Sequence, residues 1–282
     1  MLIVYFVDFG VTQIVVPTPL RPFFGHLLEL GWLYYAYMAM VSIFCPNSIN
    51  IFAGINGIEV GQSIVITLLL ILNDSFYLIP YSEPMHPATD AHLFSLYLLL
   101  PFLGVSLALF SHNWYPARVF VGDTYCYFAG MVFVVVAILG HFSKTLLLLF
   151  IPQIFNFIYS APQLFHIVPC PRHRLPRFIA RTGLMEPSTA KFTKPLPKPV
   201  QEVMKIMHKL RLLRVWVNEE GEVTESSNFT IINLWLVWFG PLREDTLAAS
   251  LLVFQFLCGL LGLFTRHRLA LLVFTSDNIS LV

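Results

Sequence analysis

Leu93-Phe94-Ser95-Leu96-Tyr97-Leu98-Leu99-Leu100-Pro101-Phe102-Leu103-Gly104-Val105-Ser106-Leu107-Ala108-Leu109-Phe110 carries no charge and no strongly polar side chain. It approaches the roughly 20 residues that a hydrocarbon core of ~30 Å requires of a crossing helix. Comparable stretches recur at 28–44, 58–80, 124–140, 146–168 and 246–264, which with 93–110 makes about six spans. The bulk numbers agree. With 57% hydrophobic residues, 15% aromatic, 12% charged and a mean hydropathy of +0.72, the chain cannot close around one water-exposed core and needs lipid. The fold expected is an all-α polytopic membrane protein of about six transmembrane helices, with a basic cytosolic loop inserted at 169–228.

Each crossing moves the chain to the other face, so loops 45–57, 111–123 and 169–228 share one side, and 81–92 and 141–145 share the other. Eleven of the 17 Lys and Arg lie between Arg172 and Arg214, whereas the second set of loops holds only Lys144 as a cation, beside Glu83 and Asp90. The positive-inside rule puts the first set in the cytosol. Three regions follow: helices with their loops at 1–168, the basic insertion at 169–228, and an interfacial segment plus the last helix at 229–282. Within the insertion, Pro187, Pro195, Pro197 and Pro199 act as breakers. Beyond them, 202–217 has the spacing of an amphipathic helix, while 213–217 and 222–224, split by Asn218-Glu219-Glu220-Gly221, also suit a hairpin. Residues 229–240 are too short to cross, and 1–16 read as the end of a further span rather than as a signal peptide. Cys45, Cys126, Cys170 and Cys258 show neither metal-ligand nor disulfide spacing.

Polar residues gather in three places, all on the cytosolic side by the crossing count. Asn47, Asn50, Asn56 and Glu59 surround Gly54 and Gly57, as a ligand loop or as a polar interhelical turn. In His112-Asn113-Trp114-Tyr115-Pro116-Ala117-Arg118-Val119-Phe120-Val121-Gly122-Asp123-Thr124, Asp123 suits a hard cation with an aromatic ring nearby, or the N-cap of the next helix. Pro169-Cys170-Pro171-Arg172-His173-Arg174 offers paired guanidinium donors to a pyrophosphate, or a topological anchor. Together they supply oxygen ligands for a divalent cation, a ring, a close-approach loop and an anion clamp. A nucleotide diphosphate at a membrane surface needs that combination. A channel or transporter would instead place its polar residues near mid-span.

Asn47-x-x-Asn50-Ile51-x-Ala53-Gly54-Ile55-Asn56-Gly57, the 112–124 run, Gly140-His141-Phe142-Ser143-Lys144-Thr145, Pro152-Gln153-x-Phe155-Asn156-Phe157 and 169–174 resemble the eukaryotic GlcNAc-1-phosphate transferases of the endoplasmic reticulum, in glycosyltransferase family 4. The likeness runs from about residue 4 to 268. It implies transfer of GlcNAc-1-phosphate from UDP-GlcNAc to dolichyl phosphate, giving dolichyl-diphosphate-GlcNAc and UMP, in the endoplasmic reticulum membrane with the site facing the cytosol. It further implies Mg2+ as cofactor, held by Asn50 and Asp123. For UDP-GlcNAc it implies contacts from Gly54, Asn56, Phe120, Arg172, His173 and Arg174. For the lipid phosphate it implies the stretch Ile43, Phe44, Cys45, Pro46, Asn47, Ser48, Ile49, Asn50 and Ile51. Partners expected are UDP-GlcNAc, dolichyl phosphate, membrane lipid and a second copy in a homodimer, with no nucleic acid. Family members also carry an adjacent Asp-Asp pair followed by Asn and Lys upstream of these motifs. This chain has no Asp-Asp pair, so an amino-terminal truncation is expected and no catalytic residue is assigned, Glu59 being the nearest other carboxylate. Two functions stand open on this reading: the transferase itself, or an inactive paralogue or isoform that keeps donor binding and assembles with or regulates a complete enzyme.

Overall fold

A computed structural model describes residues 2–8, 10–79 and 87–274. The first residues form α1 (Leu2–Asp8), then antiparallel strands β1 (Gln13–Val15) and β2 (Leu27–Glu29) flanking the short α2 (Arg21–Phe24). The body is helical: α3 (Trp32–Ile51), α4 (Ile58–Leu78), α5 (Pro87–Asn113), α6 (Gly122–Leu139), α7 (Ser143–Leu149) and α8 (Ile151–Leu164). The insertion holds β3 (Arg177–Ile179), β4 (Leu184–Glu186), β5 (Thr189–Lys191), α9 (Lys198–Lys209), β6 (Val215–Val217) and β7 (Val223–Ser227). Helices α10 (Ile231–Phe239) and α11 (Glu244–Phe264) follow.

Apolar surface without water to drive it together packs through close fit, and small residues allow that fit. Gly130 of α6 meets α3 so closely that a Cβ there would lie 2.4 Å from Pro46 Cα, and at Gly259 of α11 it would lie 2.2 Å from Leu69 Cδ1 of α4. Helix α4 is the hub, packed against α5 and α11, with α3 against α6. Among the described residues four helices are long and apolar enough to cross a membrane, the segments 58–78, 89–113, 122–139 and 244–272, and the pair α7 and α8 makes a fifth if counted as one span. The remaining expected span, 28–44, corresponds to α3. It has 20 residues, but its tyrosines and asparagines keep it below the apolar content of the others.

Several boundaries move. The polar stretch beginning at residue 45 is still helix: α3 continues through Pro46 to Ile51, so the first site loop is only 52–57. The span expected at 146–168 is broken, with α7 and α8 bent by 67°. Pro152 explains the break, because its ring removes one amide donor and clashes with the carbonyl one turn back. The groups freed by it are met by fully buried glutamines. Gln255 Nε2 donates to Leu149 O (2.9 Å), and Gln153 Nε2 donates to Gln62 Oε1 and Gln255 Oε1 (2.8 Å each). Gln62 Nε2 in turn donates to Ile49 O (3.2 Å) and Phe52 O (2.7 Å), closing the end of α3.

The all-α expectation holds for the helical body but not for 169–228. That insertion is a mixed unit with a β3-β4 hairpin and an antiparallel sheet in the order β5-β7-β6. Of the two readings for 202–217, both occur in part: α9 takes the first half, and β6 and β7 pair across a turn closed by Gly221 N–H to Asn218 O (3.0 Å). Its core, with Met204, Leu213 and Val223, is shared with Tyr159 of α8, Phe229 and Leu234. Segment 229–240 is α10, capped by Thr230, and buried on one side through Ile231, Ile232, Leu234 and Leu236 while Trp238 and Phe239 stay exposed. Residues 1–16 hold α1 and β1 rather than one continuous helix. Glu83 in the 81–92 loop and residues 275–282 of the last region lie outside the described residues.

Candidate donor site at one end of the bundle

Helices α4, α6 and α11 begin, and α3 and α5 end, at the same end of the bundle, and each of the three starting helices carries acid in its first turn: Glu59, Asp123, and Glu244 with Asp245. Carboxylates are favoured there by the unpaired amides of a helix start. Two of them hold the 52–57 loop. Gly54 N–H donates to Glu59 Oε1 (3.0 Å), Asn56 N–H to Glu244 Oε1 (2.7 Å), and Gly57 N–H to Asn113 Oδ1 of α5 (3.0 Å). The loop needs its glycines: Gly54 has φ +119° and Gly57 φ +86°, backbone that other residues rarely adopt.

The same glycines join the three sequence clusters. The Leu175 side chain lies where a Cβ at Gly54 would be, its Cδ2 only 2.1 Å from that position, so the segment after Arg174 covers the loop. Trp114 lies on Gly57 in the same way, Cε3 at 2.8 Å from the equivalent point. Asn113 Nδ2 also donates to Val119 O (3.0 Å), shaping the turn that leads to Phe120 and Asp123.

Residues 43–51 form the last turns of α3. Phe44 and Ile51 are half-buried, Cys45, Pro46, Ser48 and Ile49 are buried, and Ile43 and Asn47 lie exposed on one strip, with Asn47 Nδ2 donating to Ile43 O (2.7 Å). Asn50 is half-buried one turn beyond Pro46, and Asp123 is exposed about two turns before Gly130. Because α3 and α6 run oppositely and touch at Pro46 and Gly130, both residues are displaced toward the same end. Asp123 and Glu59 also both lie within electrostatic range of the Cys126 side chain. Asp123 is the second residue of α6, and no side chain caps that helix, so the N-cap reading does not hold.

Arg172 and His173 are exposed, and Phe120 is 89% exposed. Arg174 is half-buried. Its main-chain oxygen accepts from Asn233 Nδ2 (2.9 Å) and Ser188 Oγ (3.3 Å), while its Nη1 is buried without a partner among the described residues. Burial lowers the Arg174 guanidinium from its ordinary value, and an arginine remains charged under such a shift. A buried cationic donor without an acceptor fits an anionic ligand.

Among the described residues no three His, Cys, Asp or Glu gather to hold a metal. One carboxylate and one amide oxygen from Asp123 and Asn50, both without a side-chain hydrogen bond among the described residues, still fit Mg2+, which takes few protein ligands and fills its shell with water and phosphate oxygens. Sequence reasoning missed Glu244 and Asn113 as loop anchors. The one signal for Glu244 was an acid at the start of an apolar span, and nothing local linked it to Asn56.

The chain is similar over its length to proteins named UDP-N-acetylglucosamine--dolichyl-phosphate N-acetylglucosaminephosphotransferase. Those of Saccharomyces cerevisiae and Schizosaccharomyces pombe are each 54% identical over 99% of this chain, covering 62% and 63% of their own lengths. That of Dictyostelium discoideum is 46% identical over 92% of this chain and 58% of its own length. The chain therefore spans somewhat over half the length of these relatives. The model of glycosyl transferase family 4 matches residues 1–141, half of the sequence, and the chain belongs to that family.

Proposed function

We propose that this chain forms the donor side of a GlcNAc-1-phosphate transferase acting on dolichyl phosphate at the cytosolic face of the endoplasmic reticulum membrane. The observation that carries this reading is the junction of the three polar clusters on the 52–57 loop, Leu175 over Gly54 and Trp114 over Gly57. The names of the relatives supply the donor and acceptor. In the reaction a phosphate oxygen of dolichyl phosphate attacks the sugar-bearing phosphorus of UDP-GlcNAc, the bond from that phosphorus to the bridging oxygen breaks, and UMP leaves. Asn50 and Asp123 hold Mg2+, which when bound neutralises charge on the diphosphate. Arg174 and Arg172 take the phosphate oxygens as charge-assisted donors, and His173 contacts the sugar. Gly54 and Asn56 bring main chain against the uracil and ribose, with the Phe120 ring free to stack. The exposed strip of α3 at Ile43 and Asn47 borders the lipid phosphate. Placement of donor and nucleophile in line, with charge neutralised, supplies most of the rate in such transfers.

A second reading is favoured by one observation, that these 282 residues hold no adjacent Asp-Asp pair. On that reading the chain binds the donor and turns over only with a segment or partner that supplies the carboxylates. Transfer of labelled GlcNAc-phosphate to dolichyl phosphate, in microsomes depleted of their own enzyme, separates the two. Activity from the 282-residue chain supports the first, and activity only after extension with a relative's upstream segment supports the second. No transfer in either case contradicts the proposal.

A further inference from the structure

At the opposite end of the bundle lies a cavity of about 490 Å³ that none of the chemistry above uses. Asn73 and Tyr77 of α4, His92 of α5, Lys144 of α7 and Arg266 beyond α11 all line it. Asn73 lies about 21 Å along α4 from Glu59 at ~1.5 Å per residue. Residues 141–145, within the Gly-His-Phe-Ser-Lys-Thr run for which the donor site has no task, form one wall.

The polar groups here are built in rather than incidental. Asp74 and His92 are fully buried and paired, Nδ1 to Oδ1 at 2.7 Å, and Ser95 Oγ donates to the other carboxylate oxygen at 2.5 Å. The His92 ring is stacked between Tyr77 (4.1 Å) and Phe142 (5.3 Å), each within 8° of parallel, which fixes its orientation. Among the described residues its other nitrogen, Nε2, is buried and has no partner, and neither has Nδ2 of Asn73, whose oxygen already meets His267 Nε2 at 3.0 Å. With Nδ1 engaged by Asp74, Nε2 is the ring position left to meet a ligand. Lys144 stands exposed at the cavity wall, close enough to Arg266 for their charges to repel, and makes no ion pair or hydrogen bond among the described residues.

A buried amide donor without an acceptor and a buried imidazole nitrogen without a partner among the described residues, beside two cations, call for a ligand rich in polar oxygens and negative charge. Polar groups from four separate elements suit a tetrahedral oxyanion better than a planar carboxylate with two oxygens. The apolar wall at Leu147, Leu148 and Phe274 suits what such a group is esterified to. We propose that this cavity is a second anion site that binds a phosphate group, borne by a lipid headgroup or free, remote from the donor site.

The test uses the purified full chain in neutral detergent and phosphate-free buffer, with thermal melting read against inorganic phosphate. A parallel arm reads it in phosphatidylcholine nanodiscs with and without phosphatidic acid. Stabilisation is expected in at least one arm. Response to phosphate alone assigns a free anion, to phosphatidic acid alone a lipid headgroup, and to both the shared phosphate chemistry. Lys144→Gln and Asn73→Leu should each weaken it about tenfold, Lys144→Arg should preserve it, and Arg172→Ala at the other end should leave it unchanged. Melting of Lys144→Gln without phosphate, equal to that of the parent, verifies that it folds. No stabilisation in either arm, a response that survives Lys144→Gln, or one lost with Arg172→Ala overturns the proposal.

Discussion

Gly54 shows how much one missing Cβ decides. At φ +119° and with Leu175 Cδ2 on the position a Cβ would take, Gly54→Ala both strains the loop and pushes the 169–177 segment away. It should weaken UDP-GlcNAc binding by about tenfold or more, with Leu175→Ala restoring part of the loss because only the contact, not the strain, is relieved. Titration of the single and double variants checks this, and an unchanged affinity of Gly54→Ala would separate the clusters. Asp123 and Asn50 make no side-chain hydrogen bond among the described residues, which leaves both oxygens open to the proposed Mg2+, so Asp123→Asn should shift the Mg2+ dependence of donor binding to higher concentrations. Identical dependence in parent and variant would remove both from the metal site. For the exposed pair, His173→Ala should raise KM for UDP-GlcNAc and relax rejection of other UDP sugars, and Arg172→Ala should lower kcat, measured in the extended, active enzyme. If neither changes the kinetics, the run is a topological anchor. These residues were legible because each cluster held several polar groups where a lipid-soluble chain could least accommodate them. Glu244 was not, since its role rests on a contact with Asn56 far away in sequence.

Among elements, the apolar helices were readable from length and composition, and the Pro152 break was readable in principle from its ring chemistry. What could not be read was how a broken helix is tolerated in lipid. Gln62, Gln153 and Gln255 answer it together, tying the α7 and α8 junction to the end of α3 and so to the first site loop. Gln153 belongs to the Pro-Gln-x-Phe-Asn-Phe run, and Asn156 of the same run accepts Ile231 N–H (2.8 Å) at the start of α10, so that motif positions helices. Gln62→Leu strands the carbonyls of Ile49 and Phe52 and should cost about 1–3 kcal/mol for each buried group left unsatisfied. A lowered melting temperature together with weaker donor binding is expected, and a variant that melts like the parent would make the network incidental. The strands of the insertion were harder to foresee. They are only three to five residues long, and β5 pairs with β7 across the whole of α9.

At the scale of the molecule, helix direction sorts the chemistry. One end gathers first-turn carboxylates, glycine loops and the Arg172 to Arg174 run, while the other holds the Asp74 and His92 pair with Lys144 and Arg266. The crossing count anticipated the first gathering from sequence, because the polar clusters alternate with spans. It did not anticipate the second, because Asn73, Asp74 and His92 lie within helices and read as isolated polar residues, while Lys144 and Arg266 stand far apart in sequence. The central claim is that the three segments at the first end form one site for UDP-GlcNAc. The measurement that tests it most directly is an equilibrium titration of UDP-GlcNAc into the purified 282-residue chain, with Mg2+ and with chelator, for the parent and for Arg174→Ala. Saturable binding that needs Mg2+ and falls sharply in Arg174→Ala is the predicted result. No binding, or binding indifferent to both Mg2+ and Arg174, would contradict the account.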